Sequence, residues 1–171
     1  MEALKSKIRH VPDFPKAGIL FYDVTTLLRD AQGLRLALGS MTQPFAGRGI
    51  ELVVGIESRG FILGAAVADR LGAGFVLVRK LGKLPAETVQ ATYALEYGTD
   101  SLEMHRDAIE PGQRVLIVDD LLATGGTAAA AVSLVEKVGG QIEGLAFLIE
   151  LIALKGREKL PGQQIHPVLK Y

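Results

Sequence analysis

The sequence contains neither cysteine nor tryptophan. Without cysteine there is no disulfide, no thiolate metal site and no cysteine nucleophile. Net charge is missing too: nineteen basic and nineteen acidic residues cancel, so bulk charge offers no general attraction to nucleic acid or an anionic membrane. No apolar run reaches the roughly 20 residues of a membrane span. The opening MEALKSKIRHVPDFP lacks the apolar segment of a secretory signal. The three histidines, His10, His105 and His166, have no metal-ligand spacing, and no serine sits in a nucleophile-elbow context. The expectation is a cytoplasmic protein of one domain, residues 1–171, with no nucleic-acid or membrane partner.

What is present is glycine, at 20 residues, and many small aliphatics. Such a composition suits helices packed closely on a parallel sheet. The aliphatic runs Leu52–Ile56, Phe75–Val78, Val115–Val118 and Leu145–Leu151 read as strands. Between them, Phe61–Leu71 reads as a helix stopped by Gly72, and Thr127–Val138 as one stopped by Gly139 and Gly140. Leu34, Leu38, Met41 and Phe45 form a helical stripe within residues 32–45. The alternation predicts βαβ crossovers. Two segments break it. Residues 10–28 carry Pro12, Pro15 and Gly18, which exclude a regular core helix. Residues 81–111 are polar, with hairpin arms expected at 88–95 and 101–109, and read as an excursion from the core. The terminal HPVLKY is expected to add an edge strand.

The chemistry concentrates in VLIVDDLLATGGTA. Asp119 and Asp120 stand where a buried-type strand ends, and in an open parallel sheet ligands bind at the carboxyl ends of strands. Two ionised carboxylates accept hydrogen bonds only, which suits a vicinal diol or a divalent cation. Gly125 and Gly126 let backbone N–H groups converge, the following helix adds its N-terminus, and Thr124 and Thr127 add hydroxyls. Together these make a cup for a phosphate monoester, and a diol beside a phosphate describes a ribose 5-phosphate. A Walker A loop is excluded because no lysine follows the glycines, and a dinucleotide fingerprint by the glycine spacing.

This segment resembles the phosphoribosyl-pyrophosphate motif of the type I phosphoribosyltransferases, and its LLATGGT form resembles their adenine-specific branch. DFPKAGILFYDVTTLL, GIESRGFILG, VRKLGKLP and YALEYGTDSLEMHRDAIEPGQRVLIVDD are similar to further family segments, in family order, over nearly the whole chain. The resemblance implies an α/β fold with a central parallel sheet flanked by helices, a small N-terminal hood and a long flexible lid. It implies transfer of a phosphoribosyl group from phosphoribosyl pyrophosphate to adenine, giving AMP and pyrophosphate, with Mg²⁺ held mainly through substrate oxygens and water and no protein metal site. It also implies a homodimer.

Residue by residue, the resemblance assigns the ribose hydroxyls to Asp119 and Asp120, and the 5-phosphate to Ala123, Thr124, Gly125, Gly126 and Thr127. It assigns pyrophosphate to Glu57, Ser58, Arg59 and Gly60, and to Arg79, Lys80 and Lys83. Glu96 matches the catalytic loop glutamate, as proton acceptor or as stabiliser of a cationic sugar. Glu103, Asp107 and Glu110 read as solvated acids. Leu20, Phe21 and Tyr22 fall where the purine is recognised, with Tyr22 standing where many relatives carry a basic residue. Phe61 is either helix core or a wall of the purine slot. Two rivals remain. One is the same reaction on a 6-oxopurine, whose usual C-terminal lysine and aromatic arrangement QIHPVLKY does not show. The other is a transcription regulator on this fold, which needs a DNA-binding module.

Overall fold

Val53, Val54, Val115, Leu116, Ile117 and Val118 are all fully or almost fully inaccessible. Unbroken apolar runs of this kind belong to strands covered on both faces. The computed structural model describes residues 2–94 and 98–171. Its strands are β1 (Arg9–Pro12), β2 (Leu20–Asp23), β3 (Leu52–Ile56), β4 (Gly74–Lys80), β5 (Thr88–Ala94), β6 (Thr99–His105), β7 (Arg114–Leu122), β8 (Gln141–Glu150) and β9 (Ile165–Lys170). Its helices are α1 (Glu2–Lys5), α2 (Thr25–Leu28), α3 (Ala31–Thr42), α4 (Arg59–Leu71) and α5 (Gly126–Lys137). Seven strands form one sheet in the order β5-β6-β4-β3-β7-β8-β9. From β4 through β9 in that order, neighbours are parallel.

One face of the sheet packs against α3 and α4, through Leu38, Met41, Leu63 and Val67. The other packs against α5, through Ala128, Ala131, Leu134 and Val135. Helix α4 sits close on β3 because the contact is glycine on glycine: a side-chain carbon on Gly64 would lie 3.4 Å from Gly55 Cα. Gly72 ends α4 in the left-handed conformation, φ 67°, which a residue without Cβ adopts freely. The stripe expected over 32–45 is buried, but the α-helix stops at Thr42 and Gln43–Phe45 continues as a 3₁₀ turn. Pro44 supplies no N–H for a continued α-helix. The two-stranded β1–β2 hairpin is the expected hood, and β9 is the expected edge strand.

Two expectations are corrected. Residues 81–111 contain the expected hairpin arms, but these join the main sheet rather than forming an excursion from the core. Strands β5 and β6 pair from Thr88↔His105 to Ala94↔Thr99, and β6 joins β4 through Arg79↔Glu103 and Lys80↔Leu102. Ala91, Leu102 and Met104 are buried in the same cluster as α5, so apolar burial holds the hairpin to the sheet. The strand β7 also runs past the two acids to Leu122.

Candidate active site

Strands point successive side chains to opposite faces, yet Asp119 and Asp120 both border one cavity of about 380 Å³ at the carboxyl end of β3, β4 and β7. Val118 and Leu121, three residues apart, pack into the same core cluster. The two-residue alternation therefore slips across the acids, and both face the cavity without the strand having ended. The N–H of Asp120 donates to Asp119 Oδ1 at 2.8 Å. Asp119 lies against the start of α4, where a side-chain carbon on Gly60 would stand 2.8 Å from its Oδ1. Burial, then the charge of Asp120, pushes the Asp119 carboxyl well above the usual carboxylate range.

The loop after β7 closes on a second small cavity of about 80 Å³, lined by Ala123, Thr124, Gly125, Gly126 and Thr127. Gly125 is the N-cap of α5 with φ 80°, and no side chain caps the helix. Its free N–H groups and positive dipole end meet the cavity, an arrangement made for an anion. The loop rests backbone to backbone on the segment after β8. A side-chain carbon on Gly125 would stand 2.2 Å from Gly156 O, and one on Gly156 would stand 2.4 Å from Ala123 O.

The larger cavity also takes in Glu57, Ser58, Arg59 and Lys80. Arg59, second residue after the Glu57–Ser58 cis peptide, pairs through Nε with Asp120 Oδ2 at 3.0 Å. Arg79 pairs with Glu57 at 2.6 Å, and its Nη1 donates to Lys83 O at 3.3 Å. Lys80 pairs with Asp100 and hydrogen-bonds the Tyr93 hydroxyl at 3.0 Å. Arg79 and Lys83 do not line the cavity, and Lys83 is exposed. Each of Arg59, Arg79 and Lys80 thus has a carboxylate partner before any anion arrives.

A third cavity, about 310 Å³ and mainly apolar, opens between the hood and α4. Phe14 and Phe21 meet edge to face at 5.1 Å and form its wall, and Arg59 lies with Cζ 5.6 Å from the Phe21 ring centre. Arg59 therefore borders both the apolar slot and the acid-lined cavity.

The phosphoribosyl transferase domain family matches residues 31–163. An adenine phosphoribosyltransferase of Acidobacterium capsulatum is 60% identical over 170 residues, covering 99% of this chain and 94% of its own. One from Geotalea daltonii is 56% identical over 171 residues and covers both chains completely. The chain belongs to the adenine phosphoribosyltransferase family. The crystal structure of the Rhodothermus marinus adenine phosphoribosyltransferase superposes with a TM-score of 0.95 at 57% identity, covering 99% and 97% of the two chains. The Saccharomyces cerevisiae adenine phosphoribosyltransferase, solved with an iminoaltritol bisphosphate and adenine, superposes at 0.93 with 42% identity, over 98% and 97%. The fold is the type I phosphoribosyltransferase fold.

Among the adenine phosphoribosyltransferase positions assigned to the base, the structure separates Phe21 from its neighbours. Strand alternation in β2 turns Tyr22 away from the apolar slot, where it packs on Tyr171 with ring centres 4.3 Å apart. Leu20 is exposed and does not line the slot. Phe61 lies against Phe75 at 6.1 Å and beneath Arg79, so it is part of the helix packing and lines neither cavity. Glu96 lies outside the described residues. Phe14, Tyr93 and Gly156 carry no site signal in the sequence, and Glu103 carries only that of a surface acid. The first three meet the site only through tertiary contact. Glu103, read as a solvated acid, is buried at 3% exposure and accepts the backbone N–H groups of Lys83 and Leu84 at 2.9 and 3.0 Å. Its place opposite Arg79 in β6 was not visible without the strand register.

Proposed function

We propose that this protein joins adenine to C1 of phosphoribosyl pyrophosphate, giving AMP and pyrophosphate. The observation that carries this reading is the meeting of two cavities at Arg59, one lined by Asp119, Asp120 and, from the phosphate loop, Ala123 and Thr127, the other by Phe14 and Phe21. A flat apolar base fits the second, and a sugar phosphate fits the first.

Asp119 and Asp120 accept the ribose hydroxyls, and the N–H groups around Gly125–Thr127 take the 5-phosphate. Arg59 and Lys80 supply positive charge where the diphosphate departs, favouring the charge that builds on the leaving oxygen. Because these cations already hold carboxylates, the ligand exchanges one anion for another rather than entering an unbalanced field. N9 of the base bonds to C1 as the C1–O bond to pyrophosphate breaks, and the N9 proton is lost. Glu96 takes that proton or steadies the cationic sugar. Support comes from the family motif and from the described arms on either side of it: Ala94 pairs with Thr99, and the Ala94 carbonyl lies 3.4 Å from where a Gly126 side chain would start.

Mg²⁺ is the proposed cofactor; bound with the diphosphate, it would screen the charge of that group. The donor set fits such a shared ion: Mg²⁺ commonly uses substrate phosphates, water and one or two carboxylates, and Asp119 and Asp120 line the cavity. Asp119 and Asp120 are the carboxylates within its reach. A homodimer is supported by exposed apolar side chains on adjoining elements, Ile62 on α4 and Leu77 and Leu81 in and after β4. A cytoplasmic setting completes the reading. No described helix is long and apolar enough to cross a membrane.

The test is Mg²⁺-dependent formation of AMP and pyrophosphate from adenine and phosphoribosyl pyrophosphate, with hypoxanthine in competition. Folded protein that forms no AMP over a range of Mg²⁺ concentrations would refute the proposal.

A further inference from the structure

Tyr93 lines the acid-lined cavity and also reaches the phosphate loop. Its ring rests over the first residue of α5, where a side-chain carbon on Gly126 would lie 3.1 Å from Tyr93 Cδ2. Its hydroxyl accepts from Lys80 Nζ at 3.0 Å and donates to Asp100 Oδ2 at 3.2 Å, while Lys80 pairs directly with Asp100. Tyr93 and Asp100 are direct cross-strand partners in β5 and β6, and Lys80 comes from β4. Three neighbouring strands thus fix one ammonium group, and the same ring is set against the phosphate loop.

An ammonium group has three N–H donors. Asp100 and Tyr93 use two, which leaves one for an oxygen of an arriving anion. Burial works against the Lys80 charge, but the hydrogen bonds it donates to Asp100 and Tyr93 outweigh that and raise the Lys80 pKa. A lysine on its own is a flexible stem with several rotamers, and fixing it beforehand lowers the ordering cost when the ligand binds.

We propose that Tyr93 is a positioning residue for the transfer, holding the Lys80 ammonium at a set place relative to the 5-phosphate loop so that both ends of one phosphoribosyl pyrophosphate bind together. This rests on the activity proposed above. The ring sets the spacing to Gly126, and the hydroxyl sets the direction of Lys80. Asp100 alone supplies charge but leaves the ammonium free to swing about a single contact.

The experiment measures binding of Mg²⁺–pyrophosphate and, separately, ribose 5-phosphate by calorimetry. The proteins are wild type, Tyr93→Phe, Lys80→Ala and the double variant, together with KM for each substrate. Tyr93→Phe keeps the ring and removes one hydrogen bond to a charged group. It is expected to weaken pyrophosphate binding about three- to tenfold and to raise KM for phosphoribosyl pyrophosphate by a similar factor. Ribose 5-phosphate binding and KM for adenine stay within about twofold on the same estimate. In the Lys80→Ala background, the Phe substitution adds no further loss, because its effect runs through Lys80. Tyr93→Ala, which also removes the ring from Gly126, weakens ribose 5-phosphate as well. Unchanged pyrophosphate affinity in Tyr93→Phe, or full additivity with Lys80→Ala, would overturn the proposal. The binding measurements do not depend on AMP formation, so wild-type protein that binds both ligands without making AMP counts against the proposed activity alone.

Discussion

Arg59 and Asp120 are bound to each other inside the cavity, Nε to Oδ2 at 3.0 Å, although one opens a helix and the other lies on a strand 61 positions later. The Asp120 side chain is only 9% exposed, whereas that of Arg59 is 36% exposed, so the carboxylate end of the pair is the shielded one. Asp120→Asn removes a charged acceptor for the sugar and also frees Arg59. Ribose 5-phosphate affinity is expected to fall about tenfold, the loss of one charge-assisted hydrogen bond, while pyrophosphate affinity holds or improves. Calorimetry with each ligand separates the two effects. Parallel weakening of both would show that the ion pair does not hold Arg59 back.

The phosphate loop depends on the absence of side chains at two crossing points. Gly125→Ala places a carbon 2.2 Å from Gly156 O in a backbone with φ 80°. Carbonyl backbone cannot yield as a side chain can, and the left-handed conformation costs an alanine roughly 1–2 kcal/mol before any clash. KM for phosphoribosyl pyrophosphate is expected to rise more than about tenfold and the melting temperature to fall by several degrees. Gly126→Ala should be milder, because its nearest neighbour is the edge of the Tyr93 ring at 3.1 Å. Steady-state kinetics on both variants check the order of severity.

Glu103 holds the turn between Lys80 and Thr88 from beneath. Its carboxylate accepts from the Lys83 and Leu84 N–H groups and from Thr88 Oγ1. Burial opposes its charge, but the backbone N–H groups of Leu84, Lys83 and Gly82 prevail and hold its pKa below the usual value. Glu103→Ala strips these donors of a partner at a cost of about 1–3 kcal/mol. Glu103→Gln keeps an acceptor oxygen and is expected to lose less. Urea unfolding of the three proteins measures this. Equal stability of the alanine variant and wild type would mean that the turn holds without Glu103.

Acid should loosen the hood. Asp23 accepts from Thr25 Oγ1 at 2.7 Å, Thr25 N at 2.9 Å and Arg9 Nε at 2.9 Å. Thr25 first, then Arg9, lowers its carboxyl to about 2. A depressed carboxyl stabilises the fold above its unfolded value near 3.8 and loses that contribution as pH falls through about 2. The stability gap between wild type and Asp23→Asn is therefore expected to be full at pH 5 and to shrink toward pH 2. Urea titrations at stepped pH would reveal a constant gap if Asp23 is not the group responsible.

The fold was legible where elements were long and apolar. Leu52–Ile56 is a strand with the bounds read from its residues, and α4 ends at Gly72 as expected. The hairpin of residues 88–105 was legible as a hairpin but not as sheet. Its polar outer face resembles a solvated excursion, whereas its alternate residues Ala91, Leu102 and Met104 are buried beside α5. Tyr22 illustrates the same difficulty at the site. Its neighbour Phe21 faces the apolar slot, and strand alternation sends Tyr22 to Tyr171, a partner at the far end of the chain.

By itself, the sequence determined the parts whose chemistry is contiguous. The strand, the paired acids, the glycine loop and the helix start of residues 115–127 follow from backbone preferences and neighbours within a few positions. Only the tertiary structure decided what those parts meet. Arg59 against Asp120, Gly156 beneath Gly125, Tyr93 over Gly126 and Glu103 under the cationic turn all join residues 20 or more positions apart. Such contacts depend on strand order and register, because a shift of one residue along a strand turns every side chain to the opposite face.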